Sequence, residues 1–317
     1  MTLTRDEIHV ISRHGKMDNK TVRSSLIRNV YASPDKWKKF VNLLLLTLGI
    51  AFTTSGVIFF FAYNWASLHK FIKIGLIETL IAIAVALVIF GRFSGIVKNI
   101  ILFGASMMVG ALFAVFGQVY QTGANAYDFF LGWTIFISIW AIVSHFPALW
   151  LLLLILIDTT FVLYIEQVAF DREIIFVFIM LYILTAVPLV LLNVLFYKKI
   201  IPVLPVWFQR TVELAVIFFI TWPVIIDIFE NPDSSWYYTI SLATFTYGGM
   251  VYYGFKIKNI FYPAIVSSAL IVIICSMIIE WSKGAELILL SVSLFVLTSV
   301  TVLIKFILSL QKKWSDE

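Results

Sequence analysis

Polar residues dominate the first 40 positions. From about residue 41 to residue 309 the chain becomes a succession of apolar runs separated by short polar gaps. The runs fall at about 41–62, 73–91, 99–119, 129–144, 148–165, 174–196, 211–228, 236–255, 260–280 and 285–309. Most approach the roughly 20 residues that a helix needs to cross a hydrocarbon core ~30 Å thick. The pattern predicts an all-α integral membrane protein of about ten transmembrane helices. The fourth run is short and interrupted by Gly132, so a tilted or incomplete crossing is expected there.

The polar first segment reads differently. Thr4 with Glu7 matches a capping box, and Gly15 stops a first short helix. Asp18 can cap a second, with Val22, Leu26, Ile27 and Val30 on one face. Ser33-Pro34-Asp35 then leads into Lys36, Lys38 and Lys39. The predicted organisation is a cytoplasmic basic helical arm over 1–39, a polytopic domain over 40–310 that divides as five plus five helices, and a cytoplasmic tail over 311–317. The arm suits the anionic headgroups of membrane lipids as its partner. Two short helices without a recognition helix make no nucleic-acid module. No short apolar run with a small-residue cleavage site marks a removable signal peptide.

Charge then fixes an expected orientation. With a cytoplasmic N-terminus, nineteen of the 23 Lys and Arg lie in inner segments, and only Lys70, Lys73, Arg172 and Lys283 lie outside. Excess Lys and Arg hold loops in the cytoplasm, so both termini are expected inside. Nine acidic residues fall on the outer side, Asp227 and Glu280 among them. Trp37, Trp65, Trp207, Trp236, Trp281 and Trp314 sit at or beyond run ends, as an interfacial belt requires. A composition of 61% hydrophobic and 13% charged residues agrees with a membrane protein. Cys275 is the single cysteine, which excludes an intramolecular disulfide and argues against a cysteine-held metal. Neither a metal nor a cofactor is expected.

Candidate chemistry is confined to polar residues in apolar surroundings. Asp158 follows seven Leu and Ile residues near the middle of the fifth run. An intramembrane carboxylate costs about 2.5–3.5 kcal/mol on insertion scales, so it must face the bundle, water or a partner. It reads either as a proton or cation site or as a hydrogen-bonded group that pins packing, with Thr159 and Thr160 as nearby donors. Glu78 lies about a turn and a half into the second run, either near Lys73 or turned toward the interface. Glu213 follows Arg210 by three residues, the spacing of a local ion pair. The densest polar stretch is Gly117-Gln118-Val119-Tyr120-Gln121-Thr122-Gly123-Ala124-Asn125-Ala126-Tyr127-Asp128, and Asn64-Trp65 closes the first run on the same side. These amides, phenols and one carboxylate suit a small polar ligand or a lipid headgroup at the outer face, or the capping of helix ends. One carboxylate is too few for Ca²⁺. Ser106, Gly110 and Ala114 form a small-residue ridge for close packing. Pro188, Pro223 and Pro263 lie inside runs, where each is expected to kink its helix.

Two stretches carry a family resemblance over about residues 1–145. Phe61-Ala62-Tyr63-Asn64-Trp65 after the helical arm, and Gly117 to Ala124 followed by Asp128-Phe129-Phe130-Leu131-Gly132-Trp133, resemble the bacterial membrane proteins grouped as domain of unknown function 2157. The resemblance implies a bacterial inner-membrane protein and draws attention to Asn64, Trp65, Gln118, Tyr120 and Gln121. It implies no activity.

Three functions remain. An even split of ten spans, kinked helices and Asp158 fit a small-molecule or ion transporter. A non-transporting sensor, scaffold or assembly factor would take a ligand or partner at the outer polar cluster. A membrane enzyme on lipid-linked substrates would need a catalytic group, for which Glu78 and Asp128 have no nucleophile or metal beside them. The candidate binding residues are Asp158, Glu78, Asn64, Trp65, Gln118, Tyr120, Gln121, Asn125 and Asp128, and no catalytic residue is assigned.

Overall fold

The computed structural model describes residues 5–15, 17–31, 33–63, 69–120, 125–170, 172–201, 203–230, 235–282 and 285–316. The described residues form twelve α-helices and no strand: α1 (Arg5–His14), α2 (Asn19–Asn29), α3 (Pro34–Tyr63), α4 (Lys70–Phe90), α5 (Gly95–Tyr120), α6 (Ala126–Ser144), α7 (Pro147–Gln167), α8 (Ile174–Tyr197), α9 (Val206–Phe229), α10 (Ser235–Lys256), α11 (Phe261–Trp281) and α12 (Ala285–Asp316). Nine of the described helices are long and apolar enough to cross a membrane. The eighth expected span, α10, has the length at 22 residues but carries Trp236, Tyr237, Tyr238, Thr239 and further tyrosines in place of aliphatic residues.

The helices gather into two compact units, Met1–Val119 and Tyr120–Glu317. In the first unit α1 and α2 pack on one another, with Ile8 only 2% exposed. The N–H of Gly15 donates to the Ile11 carbonyl at 2.8 Å and closes α1. Asp18 does stand at the N-cap of α2, but its side chain makes no capping bond. The Lys36 N–H donates to Ser33 Oγ at 3.4 Å, which starts α3 at Pro34, so the last residues assigned to the arm and the first span form one helix. A Cβ on Gly104 would come within 2.5 Å of Ile50 Cγ2, so α5 approaches α3 at Gly104. The expected ridge lies only partly in such contacts: Ser106 is buried, whereas Ala114 is exposed.

In the second unit α6 and α7 form a tight hairpin. His145, at φ 49°, ends α6 in the left-handed region, and Pro147 starts α7 where its missing N–H leaves no gap. Trp150 Nε1–H donates to the Ala141 carbonyl at 2.6 Å and ties the two helices. Gly132 does not break α6, which runs unbroken for 19 residues. Packing offsets its low helix propensity of about 1 kcal/mol. That length spans ~28 Å, close to a full crossing. Lys199 and Lys258, at φ 60° and 54°, end α8 and α10 in the same left-handed way as His145 ends α6. Pro263 is not a kink within a helix, because α11 begins at Phe261 and places it in the first turn. Pro188 and Pro223 do lie inside α8 and α9.

The core of this unit is α9, which packs against α7, α8, α10 and α11. Ile217, Ile220 and Val224 of α9 meet Ala243 and Tyr247 of α10 and Val266, Ala269 and Ile273 of α11. This contact embeds α10 despite its modest hydropathy.

Candidate functional site

The sequence-predicted residues are spread over several places. Asn64, Trp65 and Gln121 lie outside the described residues. Gln118 and Tyr120 are exposed in the last turn of α5. Asn125 is the N-cap of α6, and its N–H donates to Asp128 Oδ2 at 3.1 Å. The Tyr127 N–H donates to Gln167 Oε1 at 3.1 Å, and the Tyr127 ring meets Tyr164 edge-on at 5.4 Å. Asp128 and its neighbours therefore close the start of α6 against the end of α7. Glu78 is exposed on α4, whereas Lys73 lies on the buried stripe with Ile77 and Ile81.

Asp158 is half-buried in α7. Its Oδ2 accepts from Thr185 Oγ1 of α8 at 3.1 Å, and its buried Oδ1 has no hydrogen-bond partner among the described residues. The expected donors point elsewhere. Thr159 bonds the Ile155 carbonyl at 2.7 Å, and Thr160 bonds the Leu156 carbonyl at 2.6 Å while meeting Thr134 of α6 at 3.3 Å. A threonine in a helix satisfies its hydroxyl on the preceding turn, so the donor for a carboxylate comes from the next helix.

Sequence reasoning missed a longer polar line on α9. Gln209 donates to Asn193 of α8 at 3.4 Å. Glu213 Oε1 accepts from the Tyr262 hydroxyl of α11 at 2.9 Å, while Glu213 Oε2 is buried without a hydrogen-bond partner among the described residues. Thr221 pairs with the Tyr247 hydroxyl of α10 at 2.7 Å. Asp227 Oδ2 accepts from Thr239 of α10 at 2.6 Å, with Asp227 only 3% exposed. At about 100° per residue these four positions lie within a ~120° arc of the helix. The hydrogen bond to Glu213 comes from the tyrosine, whereas Arg210 stays close enough for its charge to act on the carboxylate and sets its guanidinium 5.0 Å over the Phe261 ring. Asp227, expected at the outer end of its span, lies buried in the last turn of α9. A signal existed for both on one side only: Val216 and Ile217 follow Glu213 by one turn of α9, and Val224 precedes Asp227 by one.

A cavity of about 480 Å³ opens beside Glu213, between α8 and α10. Tyr182, Asn193, Thr246, Gly249, Tyr253 and Tyr262 line it with aliphatic residues of α8. The Tyr182 hydroxyl pairs with Thr246 at 2.9 Å. Asn193 Nδ2 donates to the Leu189 carbonyl at 2.8 Å. Tyr253 meets the Tyr262 ring edge-on at 5.2 Å. A second cavity of about 480 Å³ lies at the other end of α9 beside Asp227, Trp236, Glu280 and Trp281.

Tyr262 is held by a close approach of α10. A Cβ on Gly254 would fall 2.6 Å from Tyr262 Cβ and 3.1 Å from Pro263 Cδ. Gly254→Ala should therefore push back the start of α11 and cost about 1–3 kcal/mol of stability. Thermal unfolding of the purified variant checks this, and a melting temperature equal to the parent's would show that the approach is not rigid.

Among the described residues no three His, Cys, Asp or Glu side chains gather into a metal-holding group. Residues 21–150 match the model of a family described as a predicted membrane protein, domain of unknown function 2157. No curated protein and no solved structure matches the chain. The family match ends at the start of α7, so Asp158, Glu213 and Asp227 lie beyond it.

Proposed function

We propose that this membrane protein, related over residues 21–150 to domain of unknown function 2157, is a permease for a small molecule or ion, with its polar path along α9. The observation that carries the reading is the set of carboxylates inside the helical bundle. Glu213 and Asp227 sit 14 residues apart on α9, about 21 Å along its axis, and Asp158 stands on the neighbouring α7. Hydroxyl pairs such as Thr221–Tyr247 suffice to fix helix packing, at ~0.6–2 kcal/mol each. A buried carboxylate adds a desolvation cost that packing alone does not return, and such groups mark ion and proton paths. Among the described residues Asp158 and Glu213 each keep one buried oxygen without a partner, a cost that a cation or donor would relieve once the carboxylate turns to meet it. In this reading α10 is also a span and completes the ten, both termini face the cytoplasm, and the membrane is the bacterial inner one.

Aqueous access tests the reading without a known cargo. In a Cys275→Ser background, Asp158→Cys and Glu213→Cys should each react with membrane-impermeant thiol reagents from at least one face of sealed vesicles. A folded, inserted protein in which neither position reacts from either face would sink the permease and leave a sensor or scaffold whose carboxylates only pin helices.

A further inference from the structure

The cavity beside Glu213 has an unusual polar inventory. Its phenol–threonine pair, Tyr182 with Thr246, is satisfied internally. Asn193 donates to Leu189 and accepts from Gln209, so both ends of its amide are used. Tyr262 spends its hydroxyl on Glu213 Oε1. The polar atom of this lining left buried and unpartnered is Glu213 Oε2, on a side chain only 9% exposed. Around it the walls are aliphatic and aromatic: Leu189, Val190, Val216 and Met250 with the rings of Tyr253 and Tyr262.

These features select a ligand chemistry. A free acceptor on a carboxylate asks for a charged N–H donor, whose further N–H groups are left to the tyrosine ring faces. Apolar walls do not replace the hydration shell of an inorganic cation, and a single carboxylate is too few for a divalent one. A volume of about 480 Å³ falls within the usual 300–1,000 Å³ of small-molecule sites, so it holds an apolar body as well as a charged head. Tyrosine faces attract an ammonium. We propose that Glu213, with Tyr253 and Tyr262, forms a binding site for a singly charged primary ammonium that carries a compact apolar body. The ammonium donates to Oε2, which the carboxylate turns toward the cavity on binding, while the Tyr262 hydroxyl keeps its bond to Oε1. The inference rests on the permease reading for its meaning, since the amine is then the cargo; the binding itself is tested apart from transport.

The probe is benzylammonium, titrated by saturation-transfer NMR against the full chain in phosphatidylcholine nanodiscs, with benzyl alcohol as its uncharged counterpart. Wild type should bind the amine saturably, and the alcohol should not compete. Glu213→Gln keeps the acceptor for Tyr262 but removes the charge, and should weaken binding by about thirtyfold or more. Gly249→Leu is the second variant. Gly249 lines the cavity, a Cβ there meets nothing within 4 Å, and the added side chain fills the space with Glu213 intact. It should weaken binding to a similar degree. Absence of saturable binding to wild type, equal binding by a folded Glu213→Gln, or full competition by the alcohol would overturn the proposal. Should Glu213→Gln fail to fold, undiminished binding by Gly249→Leu overturns it alone. Amine binding with no thiol labelling would retain the site and remove the permease. Labelling at both positions with no amine bound would do the reverse.

Discussion

Replacing Phe208 by Ala should lower the unfolding free energy by about 3–5 kcal/mol. Phe208 is wholly buried at the start of α9, with its ring 6.3 Å from that of Trp150 on α7 and 6.0 Å from that of Trp207. Lipid tails are as apolar as the side chain, so transfer from water is not what is lost. What is lost is dispersion contact with neighbours that cannot close the gap. Trp150 is itself fixed by its bond to Ala141, so it cannot swing into the space. Phe208→Leu should recover part of the loss. Reversible unfolding in mixed micelles, followed by tryptophan fluorescence, measures both. An Ala variant as stable as the parent would mean that α7 and α9 are not packed at this end.

Thr239→Val should cost about 1.5–3 kcal/mol, because it removes a 2.6 Å hydrogen bond to a carboxylate that is 3% exposed. The valine keeps the volume, so the effect is on the acceptor and not on packing. A double-mutant cycle separates the pair from its surroundings. Asp227→Leu should cost less in the Thr239→Val background than in the parent, and the difference should fall in the same range of about 1.5–3 kcal/mol. Additive losses would show that Thr239 and Asp227 do not act on one another. The same cycle tests whether α9 and α10 are joined at this level, which the aromatic composition of α10 alone does not establish.

Much of the helical layout is legible in the sequence because a membrane helix is a local property. An apolar run of about 20 residues must satisfy its backbone internally, whatever lies beside it. The α1–α2 pair and the long helices α3 to α12 follow from run length, Gly15 and the charged gaps. Gly132 reads as an interruption only in isolation, since its cost is small against the packing of α6 on α7. Pro263 reads as a kink only when the helix start is placed one residue too early. The partners of Asp158, Glu213 and Asp227 are different in kind. Thr185, Tyr262 and Thr239 lie 27, 49 and 12 residues away from them. A helix apolar on all sides carries no stripe that tells which face meets which neighbour. Glu213 therefore reads as the partner of the nearby Arg210, when α11 supplies the donor.

Helix α12 is 32 residues long, about 48 Å, and exceeds the ~30 Å hydrocarbon thickness by roughly three turns. Trp314, near its end, meets the Phe255 ring of α10 edge-on at 5.6 Å. The carboxyl end is thus a braced strut, and not a loose string. A fluorophore or small domain joined there rides on α10 and α12 together, so a change in its orientation reports movement of the helices themselves.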